Sequence, residues 1–119
     1  MTDSLSPPRD QTPDSIQVPA DDDLQSLAFL ARSLGDGNRL RILFALAAEK
    51  KAVSRLVEEL GLSQPLVSHH LKELRRALLV RVERNGPFIY YEIADPRILD
   101  IAGRLRSLAV DLLAARSSF

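Results

Sequence analysis

The chain has no cysteine among its 119 residues, and only two histidines. Disulfides, thiolate metal sites, thiol redox switches and a cysteine nucleophile are excluded together. No apolar run approaches the roughly 18 residues that cross a bilayer. The opening MTDSLSPPRD also lacks the basic and apolar regions of a signal peptide. A soluble, cytoplasmic protein with no membrane partner is expected. Net charge is missing as well, with 16 basic and 16 acidic side chains, but the two signs are unevenly placed. Asp3, Asp10, Asp14, Asp21, Asp22 and Asp23 face Arg9 alone at the start, so the rest of the chain is basic. A basic body behind an acidic tail favours an anionic partner.

What remains, 45% hydrophobic and 27% charged, fits one small domain with a modest core. Residues 1–22, with Pro7, Pro8, Pro13 and Pro19 and few apolar side chains, read as a disordered acidic tail, because burial cannot offset their ordering entropy. The domain is expected over 23–119. Leu24, Leu27, Ala31 and Leu34 follow helical spacing, with aspartates suited to the helix N-terminus, until Gly35 and Gly37 break it. Asn38 is the expected cap of a second helix carrying Leu40, Leu43, Phe44 and Ala47, closed by Lys50 and Lys51. Ser54 is the expected cap of a third, running to Leu60, and Gly61 can take the left-handed conformation that ends it. Ser63 then caps a fourth helix with Pro65 in its first turn, where a missing N–H costs little. Two capped helices around a short glycine turn have the sequence form of a helix-turn-helix.

After Leu79 the period falls to two. LVRVE and FIYYEI flank RNGP, whose Asn-Gly pair signals a hairpin. Asp95-Pro96 then opens a last helix with Ile98, Ala102, Leu105, Ala109 and Leu112 at helical spacing. The fold class is mainly α with a small β-hairpin.

On the fourth helix Val67, Leu71, Leu74 and Leu78 form the buried stripe. Pro65, His69, Lys72 and Arg76 lie near the opposite pole, and Ser68 lies between. The adjacent His69 and His70 diverge by roughly 100° and cannot share a metal as an i, i+4 pair does. His70, on the flank, is expected to be partly buried and hydrogen-bonded. His69 instead shares an outward face with Ser68, Lys72 and Arg76, and Gln64 is near the first turn. Such a face can enter a DNA major groove, with Gln, Ser and His at base edges and Lys and Arg at phosphates. Arg81 and Arg84, beside a turn at Asn85 and Gly86, add a hairpin able to reach backbone phosphates or the minor groove.

The stretches LGDGNRLRILFAL, VSRLVEELGLSQPLVSHHLKELRRALLV and VRVERNGPFIYYEI resemble the ArsR/SmtB family of bacterial winged-helix repressors over about residues 24–115. The resemblance implies a winged helix-turn-helix, a homodimer paired through its first and last helices, and repression at a near-palindromic operator in double-stranded DNA. DNA contacts are expected from Ser63, Gln64, Pro65, Ser68, His69, Lys72, Arg76, Arg81, Arg84 and Asn85. Family members that sense soft metals use cysteines on the helix before the reading helix, where this chain has AVSRLVEEL. Members that sense zinc, cobalt or nickel use Asp and His on the last helix, which here has no histidine. Asp95, Asp100 and Asp111 are better placed as caps or solvated groups, so no metal and no other cofactor is expected, and no effector is named. Leu78 stands where such sequences usually place the glycine that ends the reading helix. A different reading of the basic face is a protein-interaction module that docks an acidic partner. An enzyme is not expected, because no nucleophile, base and orienting group form a constellation.

Overall fold

The computed structural model describes residues 17–117. Most of the expected tail lies outside the described residues. Seven elements follow in order: α1 (Asp21–Leu34), α2 (Gly37–Ala45), α3 (Val53–Leu60), α4 (Gln64–Arg76), β1 (Val80–Asn85), β2 (Phe88–Ile93) and α5 (Pro96–Ser117). Helix α1 begins at Asp21, two residues before the expected domain boundary, and carries Asp21, Asp22 and Asp23 in its first turn. Their charges there oppose the positive end of the helix dipole.

The core lies where α2, α3 and α4 meet. Ile42, Leu43, Leu56, Val67, Leu71 and Leu74 are wholly buried, and Leu46, Leu79 and Val80 extend the cluster toward the hairpin. Each such side chain contributes on the order of 1.5–3 kcal/mol by leaving water. Val80, Tyr91 and Ile93 alternate onto this core from the hairpin, as period two requires.

Local chemistry sets the element ends, and three of them differ from expectation. Helix α2 is capped by Asp36, not Asn38: Asp36 Oδ1 accepts from the Asn38 and Arg39 N–H groups at 2.9 and 3.1 Å. Arg39 then donates to the Ser33 and Arg32 carbonyls, satisfying the C-terminal end of α1 from the next helix. Helix α2 stops at Ala45, well before Lys50 and Lys51. Lys51 instead exchanges both backbone hydrogen bonds with Tyr91, an isolated bridge on the outer edge of β2. This extended pairing leads straight into α3, whose N-cap is Ala52 rather than Ser54, with no side-chain cap bond.

The hairpin register pairs Asn85 with Phe88, so the two-residue turn is Gly86-Pro87 and not Asn85-Gly86. Gly86 has φ 62°, and proline cannot take positive φ, so among the hairpin turns only type II′ fits.

Two cap carboxylates make stability depend on acidity. Backbone N–H donation from Arg39, with His70 and Asn38 adding to it, holds Asp36 below the usual carboxylate range. The Arg97 guanidinium and then its N–H bring Asp95, at the head of α5, down to about 2. A group whose pKa is lowered on folding stabilises above its unfolded value and loses that contribution as pH falls through its folded value. Stability is therefore expected to fall progressively from about pH 4 toward pH 2. Asp36→Ala is expected to cost about 1–2 kcal/mol at neutral pH in urea unfolding and to flatten this acid dependence.

Candidate nucleic-acid interface

Three features of the sequence aim α4. Gly61 takes φ 67° and ends α3 in the left-handed conformation, Leu62 follows, and Ser63 Oγ accepts the Leu66 N–H at 3.3 Å. Pro65 occupies the first turn, where no donor is lost. Val67, Leu71 and Leu74 then anchor one side of α4 in the core with no exposed surface. Leu78, expected in the same stripe, instead lies beyond the helix end at Arg76 with φ 63° and is 80% exposed, because the helical period stops before it.

The opposite side is open. Ser63, Gln64, Pro65, Ser68, His69, Lys72 and Arg76 are all exposed, in agreement with the helical wheel. His69 and His70 diverge: one ring is outside and the other is only 6% exposed, with centroids 5.2 Å apart in an edge-to-face contact. His70 departs from expectation in two ways. It is fully rather than partly buried, and its Nε2 lies 3.8 Å from Asp36 Oδ1, beyond hydrogen-bonding distance. Its Nδ1 is buried without a hydrogen-bond partner. His70 thus packs α4 against the capped end of α2.

The cations of this surface are not equally free. Arg76 lies 3.3 Å from Glu73 on its own helix. Arg81 pairs across the hairpin with Glu92 at 2.9 Å. Lys50 holds Glu83 at 2.6 Å and sits 5.4 Å over the Tyr90 ring, and the Glu83 carboxylate raises its pKa. Among the described residues, Lys72, Arg75 and Arg84 have no ion pair. Arg75 was not singled out from the sequence, although it stands three residues beyond Lys72 and is therefore its neighbour on the helix surface. Its place in the last turn was the available signal.

The hairpin projects from the end of α4 with Arg84, Asn85 and Phe88 exposed at its tip. Lys51 is buried although it is charged, and its Nζ reaches Glu59 at 2.6 Å. Glu59 also holds Arg55, and Lys51 first and Arg55 second lower its pKa. That cluster ties α3 to the base of the hairpin and fixes where the tip stands.

Among the described residues no group of three metal-binding side chains is assembled, and no helix is long and apolar enough to cross a membrane. Asp95 and Asp100 are engaged by Arg97 and Arg104.

A helix pair joined at the left-handed Gly61, whose second helix turns an anchored side inward and a polar, basic side outward, followed by a hairpin, defines a winged helix-turn-helix DNA-binding domain. Comparison with known proteins agrees. Residues 36–82 match the family described as bacterial regulatory protein, arsR family. The nodulation protein NolR of Rhizobium meliloti is 34% identical over 90 residues, covering 76% of this chain and 74% of NolR. The transcriptional regulator KmtR of Mycobacterium tuberculosis is 35% identical over 89 residues, covering 75% of this chain and 66% of KmtR. The crystal structure of NolR from Sinorhizobium fredii superposes with a TM-score of 0.68 at 30% identity, covering 78% of this chain and 96% of that one. The homodimeric winged helix-turn-helix DNA-binding domain of a possible ArsR-family regulator from Mycobacterium bovis gives 0.70 at 26% identity, covering 81% and 92%.

The chain belongs to the ArsR family, a family of DNA-binding transcriptional regulators and not of enzymes. It spans 66% of the length of KmtR and 61% of the SmtB homologue of Synechocystis.

Proposed function

We propose that this chain is a homodimeric, sequence-specific repressor that acts in the cytoplasm on a near-palindromic operator. The observation that carries this reading is the outward side of α4, where hydrogen-bonding and cationic side chains stand exposed opposite a fully buried aliphatic stripe. Gln64, Ser68 and His69 read base edges in the major groove, with Ser63 and Pro65 setting the helix start. Lys72, Arg76, Arg81, Arg84 and Asn85 hold the backbone. Free cations bind phosphate without first breaking an ion pair, so Lys72 and Arg84 rank above Arg76 and Arg81, and Arg75 joins them.

The dimer pairs through α1 and α5. Beyond the buried Ala102, residues 104–116 of α5 are all exposed, including Leu105, Leu108, Val110 and Leu112. Ile98 and Ala102 do pack on the domain, but the expected stripe does not continue there. Among the described residues these apolar side chains stay about half exposed, and a two-fold-related copy covers them. Two reading helices then sit about one turn of DNA, or a multiple of it, apart.

Quantitative binding of the purified chain to its candidate operator and to random duplexes, across a salt series, tests the reading. A specificity ratio of about 10³ or more is expected. A ratio near one would remove the sequence-specific function. Arg84→Ala is expected to weaken binding to all duplexes alike and to reduce the salt slope by about one.

A further inference from the structure

The residue that ends α4 is built against its own backbone. Leu78 N–H donates to the Arg75 carbonyl at 3.0 Å, and Leu79 N–H to the Leu74 carbonyl at 2.9 Å, the two bonds of a Schellman ending. That ending requires positive φ at its outer residue, and Leu78 has φ 63°. Glycine takes this conformation without strain; a leucine does so only against its own Cβ. Within the subunit the side chain gains little in return, because Leu78 is 80% exposed.

Its position suggests what covers it. Leu78 lines a hollow with Leu30, Ile98 and Ile101. The adjoining hollow between α1 and α5 shares Leu30 and Ile101 and adds Leu27 and Leu105. Leu78 is thus one end of an unbroken apolar band that runs onto the α1–α5 surface. Asp95 and Arg97, at the rim of the first hollow, are paired with each other at 2.8 Å, so neither brings an unpaired charge to the band. The hollow is lined from α1, the end of α4 and α5, and none of the outward residues of α4 from Gln64 to Arg76 lines it.

We propose that Leu78 is a subunit contact: it packs against a second copy of this chain, and the partner thereby holds the residue that ends the reading helix. This inference rests on the α1–α5 dimer proposed above and extends that interface to the junction of α4 and the hairpin. Symmetry places two such contacts in each dimer, so each substitution acts twice.

The test is the dimer dissociation constant, measured by sedimentation equilibrium on the full chain carrying Leu78→Gly, Leu78→Asn or Leu78→Met. Glycine and asparagine both suit the left-handed position, so the end of α4 is kept while the apolar side chain is lost. The Gly and Asn variants are expected to raise the constant about 10- to 100-fold with an unchanged circular dichroism spectrum. Methionine retains the apolar bulk and is expected to stay within about threefold of the parent. If the Gly and Asn variants dimerise as tightly as the parent, or if Met weakens the dimer as much as they do, the contact does not exist. A parent that is monomeric at all concentrations would instead remove the α1–α5 dimer itself.

Discussion

Leu105→Asp is expected to yield a folded monomer that binds operator about 10²- to 10⁴-fold more weakly than the parent. The size follows from linkage: when two reading helices are joined, the second half-site is bound as an intramolecular event, and separating the subunits forfeits that advantage without touching α4. The position is chosen for its surroundings. Leu105 lines both the groove between α1 and α5 and the one between α2 and α5, yet it is 48% exposed in the single subunit. An aspartate there meets water in a monomer but would be buried and unpaired in the dimer, which is strongly unfavourable. Light scattering gives the mass and gel shift the affinity. A variant that remains dimeric and binds normally would show that the subunits pair elsewhere.

His69→Ala is expected to cost on the order of 1–3 kcal/mol on the cognate operator, roughly 5- to 150-fold, and little on random DNA. The imidazole is exposed and meets the His70 ring edge-to-face at 5.2 Å, so truncation removes that one ring contact and none of the buried aliphatic packing. The buried side of α4, from Val67 to Leu74, is left as it was. Any loss must then come from what the imidazole meets outside the protein. Competition binding with cognate and random duplexes separates the possibilities. Equal losses on both would make His69 a backbone contact, not a base reader. Arg84→Ala is the matched control, because a free cation on the hairpin acts on phosphate whatever the sequence.

The outward side of α4 was legible because helical period is a local property. Once Val67, Leu71 and Leu74 are taken as inward, the directions of His69 and Lys72 follow from 100° per residue. The helix ends were less so. Asp36, Gly37 and Asn38 are all residues that favour caps, and composition does not choose among them. Asp36 is chosen by its surroundings, with Arg39 folded back onto the end of α1 and His70 against the carboxylate. The Asn-Gly signal was likewise shifted by one residue, because the register that buries Val80 and Ile93 pairs Asn85 with Phe88. Helical period places Leu78 in the buried stripe, but α4 ends at Arg76, and Leu78, standing where this family usually has glycine, takes φ 63° and is 80% exposed.

By itself, then, the sequence determined the order of the elements, the left-handed glycine between α3 and α4, and which side chains α4 turns outward, since each depends on residues within a few positions of one another. The tertiary structure alone decided that Lys51 is buried beside Glu59 and bridges Tyr91, and that Glu92 and Glu73 engage Arg81 and Arg76 while Lys72 and Arg84 have no ion pair among the described residues. It also decided that the apolar side chains of α5 beyond Ala102 stay about half exposed among the described residues. The reason is physical: burial and ion pairing depend on which distant segments meet, whereas the period of a helix depends only on the chain nearby.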